Sequence, residues 1–397
     1  MESNFADRMG SVHKSFIREI LKVTQDPSII SFGGGLPNPA SFPILEISQA
    51  AEAVLRESGK DALQYSTTEG YLPLREIIAE RYARRGLDVS PDNILITSGS
   101  QQGIDLTGKV FINKGDRVLV ERPTYLATLQ AYGLYEPQFR SIPLLDDGPD
   151  LEALERELDE GIKMYYAVPN FQNPTGITYS LKKRQEVARL LNDYGVVFIE
   201  DDPYGEIRFM GEDLPPVKSM MENAVLLGSF SKIVSPGMRL GWLVAPDDIM
   251  DKVIVAKQAT DLHTNYFIQR VVHRYMADND VDSHIGKIKA LYREQRDHMV
   301  KAVEAHFPEG VQCTKPEGGM FLWVTLPEGV SSVELFDLAI KEKVAFVPGK
   351  AFYADGSGDN TLRLNYTNST AGAIDVGIER LGNAIRLLMA EKAYVVR

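Results

Sequence analysis

Seven short runs rich in branched residues constrain this chain more than any other feature: Ile94–Thr97, Arg117–Glu121, Phe139–Leu144, Met164–Pro169, Val196–Asp201, Val225–Phe230 and Leu240–Ala245. Most are separated by helical patterns or glycine turns. That alternation predicts α/β architecture, a three-layer α/β/α domain around a mostly parallel seven-stranded sheet. In such sheets ligands sit beyond the carboxyl ends of the strands. The polar segments of interest fall there: Ser98–Gly103 after the first run, Asn170–Gly176 after the fourth, Asp201–Tyr204 after the fifth and Ser229–Lys232 after the sixth.

Around this block the pattern is helical at Ser11–Val23, Leu45–Leu55 and Leu72–Arg85, with Tyr65–Gly70 a polar loop and Gly33–Pro43 rich in turn residues. A long helical pattern from about Ile285 to Phe307 leads into a second, smaller α/β unit. Its strands are expected at Gly319–Leu326, Ala345–Val347 and Thr361–Asn365, and its helices from Val333 and Ala371. The expected division is 1–44, 45–290 and 291–397. A chain of 397 residues, 44% of them apolar, has enough material for two cores.

A net charge of -12 argues against a broad nucleic-acid or anionic-membrane face, so an anionic ligand has to be met by a local cluster. Cys313 is the one cysteine, no Cys/His cluster suggests a metal, and no apolar run approaches the roughly 20 residues of a membrane helix. The N-terminal residues have no secretory core either. The expectation is a cytoplasmic protein without metal, membrane or nucleic-acid partners.

The densest chemistry lies in Ser229-Phe230-Ser231-Lys232-Ile233-Val234-Ser235-Pro236-Gly237-Met238-Arg239. A desolvated lysine near other cations loses its proton readily and can form a Schiff base with an aldehyde. Ser229, Ser231 and the planar donor fork of Arg239 could hold a phosphate meanwhile. An aldehyde and a phosphate on one molecule describe pyridoxal phosphate. Taken alone, the same stretch also reads as a solvated loop lysine and a surface arginine. Asp201, at the end of a buried-looking strand, needs a cation or donor; a pyridinium nitrogen would serve, and so would an ordinary strand-end turn.

The whole run Ser229–Trp242 resembles the lysine segment of fold-type I pyridoxal phosphate aminotransferases, in the branch that handles 2-aminoadipate and kynurenine. The resemblance recurs in order at Ser31–Pro39, Gln64–Ser66, Ser98–Gly103, Asn173–Gly176, Glu200–Tyr204 and Arg363–Tyr366. It implies an enzyme that moves an amino group from an L-amino acid to a 2-oxo acid, with 2-oxoglutarate as the expected acceptor, in two half-reactions. By the same resemblance Lys232 is the catalytic amine, Asp201 meets the ring nitrogen and Tyr204 the ring hydroxyl. Ser100 and Gln101, with Ser229, Ser231 and Arg239, would serve the phosphate, Tyr125 would stack on the ring, and Asn173 would contact both ring oxygen and substrate carboxylate.

Arg363 corresponds to the arginine that grips the substrate's α-carboxylate, with Gly34 nearby. Tyr65 corresponds to the tyrosine that reaches the neighbouring subunit's cofactor, which implies a homodimer with shared sites. Arg18 stands at an I-R position that in this branch meets the distal group of the substrate. The resemblance also packs residues 1–44 with the smaller unit. The Asn173–Pro174 bond is expected to be cis, a form that only X-Pro bonds adopt cheaply. Two rivals keep part of this pattern: a lyase or racemase on the same cofactor, and the effector-sensing half of a transcription regulator. The acidic balance and the few residues ahead of Gly33 weigh against the second.

Overall fold

The computed structural model describes residues 4–10 and 26–395. The helix expected over Ser11–Val23, and Arg18 with it, lies outside the described residues. After a two-residue strand β1 (Ile30–Ser31), the seven expected runs all form strands: β2 (Ile94–Thr97), β3 (Arg117–Arg122), β4 (Gln138–Leu145), then, past the short β5 (Gly148–Pro149), β6 (Met164–Ala167), β7 (Val197–Asp201), β8 (Ala224–Ser229) and β9 (Gly241–Val244). They assemble in the order β2-β9-β8-β7-β6-β3-β4-β5. The eighth strand, β5, is a two-residue hairpin return onto the edge of β4, too short to register as a run.

Alternation along these strands explains why they read as continuously apolar. Val118 and Val120 of β3, and Met164 and Tyr166 of β6, enter one hydrophobic cluster. Leu119, Tyr165 and Ala167 enter another on the opposite face. Successive side chains of a strand point to opposite faces, so a sheet covered by helices on both sides has no polar face to alternate with. The first cluster includes Ile104 and Leu106 of the helix Ser100–Phe111, the second Val187 and Leu191 of the helix Leu181–Tyr194.

Strands β3, β4, β6, β7 and β8 are mutually parallel, whereas β9 runs antiparallel between β8 and β2. Two reversals restore the direction of β2, so Thr97, Ala167, Asp201 and Ser229 all finish at one edge of the sheet. Gly241 is paired with both Thr97 and Ser229 there. A Cβ on it would stand 2.8 Å from the amide nitrogen of Ser100 and 2.7 Å from the carbonyl oxygen of Gly228. Only glycine lets β9 start directly beneath the Gly99–Ser100 turn.

The helix Val281–His306 carries the chain to a second, antiparallel sheet. Strands β10 (Gln312–Cys313), β11 (Phe321–Thr325), β12 (Val344–Ala345), β13 (Val347–Pro348) and β14 (Thr361–Asn365) follow. Four of them pair in the order β10-β11-β14-β13, while β12 pairs with β1. The helices Ser332–Lys341 and Ala371–Val395 complete this unit. Its ties to the N-terminal segment include backbone bonds: the Phe32 amide donates to the Ala345 carbonyl (2.8 Å) and the Asn365 amide to the Phe32 carbonyl (2.8 Å). These bonds carry Gly33–Gly35 to the carboxyl edge of the large sheet. Among the described residues no helix is long and apolar enough to cross a membrane.

Candidate active site

At that edge lies a cavity of about 230 Å³. Asp201 and Tyr204 after β7, Ser229, Ser231 and Lys232 after β8, Tyr125 after β3, and Asn173 after β6 all line it. Ser100, Gln101 and Arg239 close one end. Residues far apart in the sequence therefore meet because they occupy corresponding strand ends of one sheet.

The Ser100–Arg239 end is built for an anion. The helix Ser100–Phe111 begins there behind Gly99, whose φ of 79° opens the turn, and a helix start offers unpaired N–H groups and the positive end of the dipole. Arg239 holds a left-handed backbone (φ 50°, ψ 44°) that a non-glycine residue seldom adopts. Its Nη2 donates to the Ser98 carbonyl (3.4 Å). A Cβ on Gly99 would approach that same Nη2 to 3.0 Å, so the glycine makes room for the guanidinium. Ser229 Oγ donates to Ser231 Oγ (2.8 Å) and accepts from the Ser231 amide (3.0 Å), which fixes both hydroxyls at this end.

Lys232 is half-buried, with its Nζ 3.3 Å from the Gly35 carbonyl. Burial, helped by the positive charges of Arg363 and Arg239, brings its ammonium down to about 8. An amine so poised is deprotonated over a useful fraction of time near neutral pH. Burial pushes Tyr125 up to about 12 and also raises Tyr204, so both phenols are kept protonated as donors.

The two adjacent aspartates differ sharply. Asp202 is satisfied on both oxygens: Arg85 donates to Oδ2 (2.8 Å) and Asn170 to Oδ1 (2.7 Å). Among the described residues Asp201 accepts only from Tyr166, at Oδ2 (2.7 Å). Its Oδ1 is buried without a partner. Burial, assisted by the charge of Asp202 and opposed by the Tyr166 hydrogen bond, raises the Asp201 carboxyl to about 7. A buried carboxylate oxygen lining a cavity with nothing to bind asks for a donor from a ligand. Asp201, anion end and intervening amine together fit pyridoxal phosphate: a ring nitrogen for Asp201, an aldehyde for Lys232, a phosphate for the helix start.

Arg363 sits just behind the cavity on β14, 2% exposed. It donates to Asn173 Oδ1 (2.7 Å) and the Gly33 carbonyl (2.7 Å), stacks over Phe321 at 4.3 Å, and keeps a buried Nε without a partner. Burial lowers its guanidinium to about 10. Among the described residues no carboxylate pairs with it, and an arginine bonded to neutral groups can accept an anionic ligand. Gly34 lies between the Gly33 and Gly35 carbonyls that receive Arg363 and Lys232. The Asn173–Pro174 bond is cis, and so is Arg122–Pro123. Tyr65 stands apart from its own chain's cavity, 79% exposed, with its ring edge-on to His263 at 5.8 Å.

Residues 33–381 match the family model for aminotransferase class I and II. The chain belongs to the class I and II aminotransferases. It is 43% identical to the aromatic-amino-acid aminotransferase 1 of Thermococcus litoralis, across 97% of this chain and 94% of that protein. Among solved structures, the Pyrococcus horikoshii kynurenine aminotransferase with PMP superposes with a TM-score of 0.93 at 45% identity, covering 97% of each chain. The α-aminoadipate aminotransferase of Thermus thermophilus, solved with N-(5'-phosphopyridoxyl)-L-leucine, gives 0.91 at 41% identity, covering 97% of this chain and 98% of that one. This aminotransferase has the fold-type I architecture and uses pyridoxal phosphate.

Several residues of the aminotransferase site carry no sequence signal. Tyr166 reads as strand core and Arg85 as an ordinary polar residue, and Asn170 opens a segment of interest without a role of its own, yet these three decide which aspartate is left with a bare oxygen.

Proposed function

We propose that the enzyme transfers the amino group of an L-amino acid of the aminoadipate, aromatic or branched-chain type to 2-oxoglutarate, in two half-reactions that share one site. The observation that carries this reading is the pairing of Lys232, a half-buried amine brought to about 8, with the partnerless Oδ1 of Asp201 in the same cavity. Pyridoxal phosphate, when bound, supplies an aldehyde for the amino group and a protonated ring that takes up the electron pair left at the substrate's α-carbon. Asp201 Oδ1 would hold the proton on the ring nitrogen. Ser229, Ser231, Arg239 and the start of the helix at Ser100 and Gln101 hold the phosphate. Tyr125 would pack against the ring, and Tyr204 and Asn173 would hold its oxygen.

Arg363 grips the α-carboxylate through the donor edge that now faces Asn173. With the carboxylate held, Lys232 Nζ would take the proton from the α-carbon and hand it to the carbon supplied by the cofactor's aldehyde, acid–base work suited to an amine brought to about 8. One water would be consumed in releasing the donor as its 2-oxo acid, and 2-oxoglutarate would take the amino group away as glutamate, returning that water, when the steps run in reverse. The relatives described above support the donor class, since they are named for aromatic amino acids, kynurenine and α-aminoadipate.

On this reading the chain divides into a cofactor-binding unit over 45–290 and a smaller unit over 291–397 that packs with 1–44. It works as a homodimer, with Tyr65 contributing to the partner's site. The exposed apolar side chains Ile44 (73%), Leu45 (66%) and Leu63 (71%) support a face that a second copy covers. The test is a panel of amino donors incubated with 2-oxoglutarate. Formation of the matching 2-oxo acid and glutamate in equal amounts supports transfer; ammonia release or racemised donor would replace it with the lyase or racemase reading.

A further inference from the structure

Lys257, on the helix Asp247–Asp261, has a fully buried side chain. A lysine ammonium in such a place is tolerated only when its protons are all bonded, and here they are. Nζ donates to Gln102 Oε1 (3.0 Å), to Asp261 Oδ1 (2.8 Å) and to Thr264 Oγ1 (3.0 Å). Thr264 in turn donates to the Ile96 carbonyl of β2 (3.2 Å), and Gln102 Nε2 donates to Asp261 Oδ2 (2.7 Å).

The significant member of this knot is Gln102. It stands at the third position of the helix Ser100–Phe111, where a glutamine ordinarily reaches back to the N-cap amide. Its Oε1 reaches one residue further, to the amide of Ser98 (2.8 Å). The Ser98 carbonyl is held from the other side by Arg239 Nη2 (3.4 Å). Ser98, just ahead of the Gly99 turn, is thus clamped at both its amide and its carbonyl, by Gln102 and by Arg239. Turning this backbone would swing Ser100 and Gln101 away from the cavity, so the lysine fixes the geometry of the anion end without touching it. Lys257 does not line the cavity.

We propose that Lys257 is a positioning residue for the phosphate of the cofactor: by holding Gln102 Oε1 on the Ser98 amide, it sets the Gly99–Gln101 turn in the phosphate-binding form before the cofactor arrives. The proposal rests on assigning the Ser100–Arg239 end to the phosphate. Pre-setting donors removes the cost of ordering them on binding, and the gain falls on the phosphate group alone.

The measurement is the pair of dissociation constants of the cofactor-free enzyme for pyridoxal phosphate and for pyridoxal, which lacks the phosphate. In Lys257→Met the preference for the phosphorylated form should shrink by about ten-fold or more, the size of one charge-assisted hydrogen bond, while the constant for pyridoxal stays within about two-fold. Gln102→Met keeps the lysine's bonds to Asp261 and Thr264 and should show the same loss, so the test survives a Lys257→Met chain that fails to fold. The double variant should be no worse than the weaker single one. Parallel losses for both ligands, or no change, overturn the role of Lys257. A wild-type enzyme indifferent to the phosphate would remove the assignment of that end, and the proposal with it.

Discussion

Replacing Asp201 with asparagine should stabilise the cofactor-free protein and disable the enzyme, whereas Asp202→Asn should do the reverse. Asp201 is 2% exposed, and its carboxyl moves from the ordinary 3.8 to about 7 on folding. A folded value above the ordinary one means that the neutral carboxyl's stability is fully present below pH 3.8 and lost as pH rises through about 7. At pH 8 that loss amounts to about 4 kcal/mol. Asparagine never ionises and so escapes it, although its amide in place of the bare Oδ1 lacks an acceptor and returns about 1–3 kcal/mol. A net gain of about 1–3 kcal/mol at pH 8 follows, shrinking as the pH falls toward 5. On the proposed role of Asp201, the same change with cofactor present should leave the ring nitrogen without its anion, and loss of a buried ion pair worth about 3–5 kcal/mol should lower kcat/KM by some hundred-fold to several-thousand-fold. Asp202→Asn instead strips the carboxylate from Arg85, itself largely buried, and should destabilise the fold by about 3 kcal/mol with a modest effect on the turnover of folded enzyme. Thermal melts of the cofactor-free proteins at pH 5 and 8, beside kcat/KM of the loaded ones, read both arms. If cofactor-free Asp201→Asn melts at or below the parent at pH 8, or if the two variants lose equal activity, the assignment of the bare oxygen is wrong.

Lys232→Ala should retain cofactor binding and the fold but stop turnover, and borohydride should fix the cofactor to the parent and not to the variant; near-parental turnover would sink the role of Lys232. Mixing inactive Tyr65→Ala and Lys232→Ala protomers should regenerate activity, because one hybrid site then carries neither defect; no recovery after verified subunit exchange would remove the shared site. Glu121, buried at the end of β3, accepts from Tyr179 and from Gln172 (2.7 Å), and burial lifts it from 4.5 to about 7. Its contribution to stability is therefore present below pH 4.5 and lost as pH rises through about 7, so Glu121→Gln should flatten the fall in melting temperature between pH 5 and 7; an unchanged slope contradicts this. Arg18→Ala should lower kcat/KM for 2-oxoglutarate, glutamate and aminoadipate by about ten-fold or more while leaving leucine and phenylalanine nearly untouched; equal losses would make Arg18 structural.

Much of the fold is legible because its signals are local. Each of the seven runs in the large sheet declares itself within a few residues, and so does the long helix, read from Ile285 to Phe307 and found at Val281–His306. The two-residue β5, and the split of the expected Ala345–Val347 strand into β12 on β1 and β13 on β14, are not legible in detail, since strands that short are made by their neighbours' hydrogen bonds rather than by their own composition. Motif spacing likewise places Lys232, Asn173, Tyr204 and Arg239 at strand ends. It does not say that Arg239 needs a left-handed backbone, or that Gly99 is shaped to admit it.

What the sequence determines by itself is thus the inventory: an α/β chain, an amine between hydroxyls and an arginine, and a strand ending in two aspartates. The tertiary structure decides which of those groups are left unsatisfied. Asp202 is neutralised by Arg85 from 117 positions away and hydrogen-bonded by Asn170 from 32, while Arg363 is held open by a carbonyl 330 positions distant. Reactivity in a buried site depends on the partners a charge lacks. Those partners are set by strand order and long-range packing, which no local run of residues encodes.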